Sequence, residues 1–187
     1  SLAAAEVELV PMANRERQLR RALDSAAADY DVILIDCPPS LGLLTVNALT
    51  AVDAVIVPIQ CEFLALEGLG QLITTIDLVK RQLNPKLDVL GVLMTMYDAR
   101  TRLSAHVVEE VRIHFPQQIF DTLVPRSIRL AEAPSYGQSI AEYDGDSRGA
   151  QAYRNLAEEL IARLGIAPHA SDPNPERDLV LAADAIS

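Results

Sequence analysis

The strongest chemical signal in this sequence is an acid at the end of an aliphatic run. In Tyr30-Asp31-Val32-Ile33-Leu34-Ile35-Asp36-Cys37-Pro38-Pro39-Ser40, the run from Val32 to Ile35 is expected to form a strand buried in a sheet. That would bring the Asp36 carboxylate out at the strand's C-terminal edge, where ligands of open α/β sheets bind. An acid held there can orient the water shell of Mg²⁺, because this ion keeps several waters and takes one or two carboxylates together with phosphate oxygens. The pattern is that of a Walker B acid, with Pro38, Pro39 and Ser40 as the turn directly behind it. On the residues alone a second reading stays open, in which Asp36 ends a strand and caps a turn.

Other chemistry-bearing residues point less far. Cys37 and Cys61 lie in apolar contexts with no CxxC spacing and no nearby histidine pair, so neither a metal site nor a disulfide framework is expected, and a reducing cytoplasm is the natural setting. Cys37 follows the acid, yet no His or Asn arrangement marks it as a nucleophile. His106 and His114 share an expected helix without a cysteine partner and read as surface residues. Arg15, Arg17, Arg20 and Arg21 sit beside Leu19, Ala22 and Leu23 at core spacing, which reads as the solvated face of a helix.

These residues need a scaffold, and the sequence alternates short apolar runs with longer stretches of helical period. Strands are expected at 32–35, 54–59, 89–94 and 118–124, and helices at 14–27, 41–51, 64–83, 103–115 and 147–164. The alternation predicts an α/β fold with a parallel sheet flanked by helices on both faces. Asp146 or Ser147 is the expected N-cap of the last helix and Gly165 its C-cap. One domain is expected over 1–164. The proline-containing stretch 165–187 is expected to be a flexible tail, ending in a short amphipathic segment over 178–186.

Composition sets limits on partners. The 187 residues carry a formal charge of -10, so nucleic-acid binding over the whole surface is excluded and any such site must be a local patch. Between Ala99 and Leu130 the sequence offers Arg100, Arg102, Arg112, Arg126 and Arg129 against Glu109, Glu110 and Asp121. No run has the length and composition of a membrane span or of an export signal.

Several blocks, in order, resemble the ParA/Soj partition ATPases of the deviant Walker A class: AEVELV with NRERQLRRAL, YDVILIDCPPSLGLLTVNAL, VPIQCEFLALEGLGQL, MTMYDARTRLS, VPRSIRLAEAPSYGQSI and YDGDSRGAQAYRNLAEEL. The resemblance runs from Leu2 to about Arg163 and corresponds to the family's C-terminal two-thirds. It implies that Asp36 is the Walker B acid acting on Mg²⁺ through water. Pro38, Pro39 and Ser40 would form switch II, and Met96, Pro125 and Arg126 would line the adenine pocket. Arg100 and Arg129 match the arginines that contact DNA non-specifically, a role suited to phosphate contacts, which carry no base information.

The resemblance further implies ATP or ADP with Mg²⁺, a homodimer, double-stranded DNA, a ParB-type adaptor, no membrane, and a cytoplasmic, nucleoid-associated location. No KGGxGK[ST] or G-x-x-x-x-G-K-[ST] loop occurs in these residues: the lysines are Lys80 and Lys86 and the first glycine is Gly42. The family's phosphate-loop strand and switch I are therefore expected to be lacking, and the chain by itself is expected not to hydrolyse ATP. Two other readings remain: a truncated, non-catalytic interaction module, and a MinD-like membrane-targeted ATPase. The second is disfavoured because only Arg177 supplies a cation near the 178–187 segment.

Overall fold

The computed structural model describes residues 2–166. Most of the expected tail, including its 178–186 segment, lies outside them. Strands β1 (Ala54–Gln60), β2 (Asp88–Tyr97) and β3 (Ile119–Pro125) form a parallel sheet in that order. The helices are α1 (Leu2–Leu9), α2 (Gln18–Leu23), α3 (Leu43–Ala51), α4 (Ala65–Gln82), α5 (Arg102–His114), α6 (Ile128–Glu132), α7 (Ile140–Tyr143) and α8 (Arg148–Leu164).

Period decides which face each residue meets. Along β2, Val92 and Met94 join a core with Ile76 and Val79 of α4 and Val107 and Val111 of α5, whereas Leu93 points to the opposite face. There it meets Phe120 and Val124 of β3, packed by Leu156 and Leu160 of α8. Helices α4 and α5 share one face because each carries the chain from one strand to the next in the same direction, and such crossovers have one hand. Helix α8 covers the other face, completing the three-layer arrangement expected from the sequence.

Local chemistry fixes the helix ends. The hydroxyl of Thr101 accepts the Ser104 amide at 3.3 Å to start α5, and that of Ser147 accepts the Ala150 amide at 3.2 Å to start α8. Gly165 ends α8 in the left-handed region at φ 66, as expected of a C-cap glycine. The buried amide of Asn84 donates to Leu49 O at 3.0 Å and Val52 O at 2.7 Å, tying the end of α4 to the end of α3. Asn47, 2% exposed, ties α3 to the preceding segment: its Nδ2 donates to Arg15 O at 2.7 Å and its Oδ1 accepts the Leu19 amide at 3.2 Å.

Two expectations need correction. Val32–Ile35 is not a strand: no strand among the described residues pairs with it, and Leu34 is 77% exposed. An aliphatic run gains a ladder only where a neighbouring strand lies alongside it. The neighbour implied by the resemblance, the phosphate-loop strand, is not among these residues. The expected helix over 14–27 is broken into a 3₁₀ turn at Arg15–Arg17, the short α2 and a second 3₁₀ turn at Ala27–Asp29. Asn14 starts the break at φ 53, and Ala26, Ala27 and Ala28 bring too little apolar surface to hold a longer helix against the body.

Candidate nucleotide-facing edge and arginine sites

Parallel strands deliver their C-terminal ends to one edge. Beyond β1 come Cys61 and Glu62, beyond β2 comes Asp98, and beyond β3 come Arg126 and Ser127. The Arg126 amide donates to Tyr97 O at 2.9 Å, and its guanidinium reaches Glu62 at 3.4 Å across the end of β2. Pro125 pairs with Tyr97 in the ladder. Met96, Pro125 and Arg126, predicted together as an adenine pocket, thus share one sheet edge.

Met96 itself is unusual. From Met94 to Tyr97, β2 runs one residue longer than the opposing Leu123 to Pro125 of β3, and Met96 takes the extra length at φ 55. Such a bulge re-aims side chains at a strand end, and a left-handed backbone at a non-glycine residue stores strain of the kind found at ligand sites. Met96 is 39% exposed on that edge.

Asp36 lies apart. It is exposed on the unpaired extended segment, and no hydrogen bond links it or Pro38, Pro39 and Ser40 to Met96, Pro125 or Arg126 among the described residues. The turn behind it is tight, with the Ser40 amide donating to Pro38 O at 2.8 Å. Ser40 O in turn accepts the Thr45 hydroxyl, which anchors the turn to α3. Its exposed carboxylate and that anchored turn fit the water-mediated magnesium role, and the bulged edge fits a base. The residues that would cradle phosphates are not in this sequence.

Both arginines expected to contact DNA are engaged by acids of the chain. Arg100 grips Asp98 with Nε at 2.9 Å and Nη2 at 2.8 Å, while its own amide donates to the same carboxylate at 3.0 Å. The Arg100 side-chain bond, then its backbone bond, hold the Asp98 carboxyl down at about 2. Arg129 lies between Glu132 at 3.3 Å and Asp144 at 3.4 Å. The Tyr143 hydroxyl, ring-stacked on Tyr136, donates to the same Glu132 at 3.1 Å.

Sequence counting set Glu109, Glu110 and Asp121 against this patch. The acids that pair with its arginines are Asp98, Glu62, Glu132 and Asp144, all outside the counted window. The spacing of Asp98 two residues before Arg100, suited to an Asx turn, was the signal that could have found the first of them.

Among the described residues no group of three or more His, Cys, Asp and Glu is placed to hold a metal ion, and no helix is long and apolar enough to cross a membrane. Cys61 is buried, which pushes its thiol up to about 11. Cys37 is exposed, and partial burial followed by the Asp36 charge raises its pKa. Neither is primed as a nucleophile.

Comparison with known proteins gives consistent results. A family model described as an AAA domain matches residues 1–89. The sporulation initiation inhibitor protein Soj of Bacillus subtilis is 55% identical over 161 residues, covering 86% of this chain and 64% of Soj. The chromosome partitioning protein ParA of Myxococcus xanthus is 56% identical over 162 residues, covering 87% of this chain and 57% of that protein. A solved structure of cobyrinic acid a,c-diamide synthase from Mycobacterium smegmatis, with bound ADP and magnesium, superposes with a TM-score of 0.73 at 41% identity, covering 88% of this chain and 60% of that one. The chain therefore spans about three-fifths of the length of these relatives. Its parallel sheet flanked by helices and its identity to the two partitioning proteins agree, and the chain belongs to the ParA/Soj family.

Proposed function

We propose that this chain forms part of a chromosome- or plasmid-partitioning ATPase, a nucleotide-switched homodimer that binds DNA without sequence preference and is stimulated by a ParB-type adaptor. The observation that carries this reading is the 55% identity to Soj, sustained over 161 residues. In the proposal, Met96, Pro125 and Arg126 receive the base at the strand ends. Bound Mg²⁺ would neutralise phosphate charge, while Asp36 holds its water and the Pro38–Ser40 turn follows the γ-phosphate. Arg100 and Arg129 contact phosphates of the duplex. The protein would then work in the cytoplasm on the nucleoid.

The cobyrinic acid synthase likeness offers a competing activity, but at 41% identity against 55%. DNA binding separates the two. In the chain preceded by the phosphate-loop segment of the B. subtilis relative, with Mg-ATP, Arg100→Ala and Arg129→Ala should each weaken binding to duplexes of any sequence. Each should also flatten the salt dependence by about one unit. An unchanged slope in both variants would remove these arginines from the DNA site, and a parent that binds no duplex would defeat the partition reading.

A further inference from the structure

Positive charge is also available away from the arginines that the family resemblance singles out. Arg100, Arg126, Arg129 and Arg163 all form ion pairs with acids of the chain. At the start of the chain the situation is reversed. Arg17, Arg20 and Arg21 line a depression of about 420 Å³ together with Asn14 and Asp24, and none of the three makes an ion pair among the described residues.

The fold presents these three together. Arg20 and Arg21 are adjacent on α2, and Arg17 closes the 3₁₀ turn directly before it, so the break between the two elements brings all three to the same depression. The opposite side of α2 is fastened to α3, where the Leu19 amide meets the buried Asn47 and the same Asn47 holds Arg15 O. The left-handed Asn14, at φ 53, turns the chain before Arg15 and supplies the rim of the depression. Arg15 pairs with Glu16 at 3.1 Å, and the one acid lining the depression, Asp24, leaves a surplus of two positive charges there.

We infer that the depression lined by Arg17, at the end of the 3₁₀ turn, and by Arg20 and Arg21 of α2 is a binding surface for the phosphate backbone of duplex DNA, separate from Arg100 and Arg129. Charge complementarity supports that occupant: three clustered guanidiniums within a chain of net charge -10 would repay the repulsion of a polyanion only where they act together. Guanidinium forks suit phosphate oxygens. Bases are not read, because contacts to phosphates carry no base information. The inference rests on the partition reading for its choice of polyanion.

The test measures anisotropy of a labelled 30-base-pair duplex, a length set for the assay at about three helical turns, from low to physiological salt. It is made on the 187-residue protein and on the same chain preceded by the phosphate-loop segment of the B. subtilis relative. The triple change Arg17→Gln, Arg20→Gln, Arg21→Gln should lower the slope of log affinity against log salt by about 2.7, at about 0.9 per lost phosphate contact. Each single change should lower it by about 0.9. The corresponding Lys variants should restore the slope, which a packing defect in α2 would not allow.

Arg100→Ala and Arg129→Ala run alongside. If they are silent while the α2 changes act, the earlier arginine assignment fails and this one holds. If only they act, the α2 inference is overturned. It is also overturned if neither parent binds duplex, or if the triple variant binds duplex unchanged but loses binding to polyglutamate, which would make the surface a site for an acidic protein segment.

Discussion

Replacing Arg163 by methionine should loosen the clamp that fastens α8 to the sheet. The guanidinium donates to Leu90 O at 3.0 Å, Gln118 O at 3.1 Å and Ile119 O at 2.7 Å, and pairs with Glu159 at 2.8 Å. It also lies 4.0 Å from the centre of the Phe120 ring. Gly91 makes room for this arrangement, since a Cβ there would collide with both Phe120 and Arg163. A hydrogen bond to a charged group contributes about 1.5–3 kcal/mol, but four contacts from one cation do not add.

Two partners keep other bonds after the change: Gln118 O still accepts the Val92 amide, and Glu159 still accepts the amides of Asp121 and Thr122. Methionine also retains packing on the ring. The expected loss is therefore about 3 kcal/mol, near the value of one or two charged hydrogen bonds with a partly buried cation–π contact. In a domain of this size that lowers Tm by about 6–12 °C. Urea unfolding followed by circular dichroism should show a lower midpoint with an unchanged m value, and Arg163→Lys should recover little, since an ammonium lacks the planar fork. A loss below about 1 kcal/mol, or full recovery with Lys, would show that packing of Leu156 and Leu160 alone holds α8.

Three further outcomes follow from other contacts. Asn47→Ala should cost about 2–3 kcal/mol, because the Leu19 amide and Arg15 O lose a buried partner, and hydrogen exchange in 15–23 should rise before that of β2. The Asp98 carboxyl, held at about 2 by Arg100 against an ordinary 3.8, contributes stability that is present above its unfolded value and lost as pH falls from about 4 towards 2; Asp98→Asn should remove that part of the acid titration. Cys37 should react with a thiol reagent in the native protein at pH 8, whereas Cys61, buried and pushed up to about 11, should react only as the protein unfolds.

The sheet was legible because 54–59, 89–94 and 118–124 are aliphatic runs whose neighbours are present, and each forms a strand within a few residues of its expected bounds. Helices α3, α4, α5 and α8 followed from periodic apolar positions and from caps such as Ser147. Val32–Ile35 has the same composition and failed, since a run of this kind encodes a capacity for burial and says nothing about whether a partner strand lies beside it. The edge bringing Met96 to Pro125 and Arg126 was suggested by the resemblance, but the bulge at Met96 was not visible because register slips depend on the opposing strand. The pairing of Arg100 and Arg129 was missed for a related reason. Net charge over a window counts acids by sequence, whereas Glu132 and Asp144 reach Arg129 through the fold of α6 and α7.

The central claim is that Asp36 is the magnesium-directed acid of a partition ATPase, and ATP hydrolysis by the chain joined to the phosphate-loop segment of the B. subtilis relative tests it most directly. With duplex DNA and a ParB-type adaptor present, the account predicts turnover that falls to background in Asp36→Ala, because the metal water loses the group that orients it. Turnover in Asp36→Ala within about twofold of the parent, against the far larger loss expected when a metal's orienting acid is removed, would contradict it and leave Asp36 as the end of an aliphatic run.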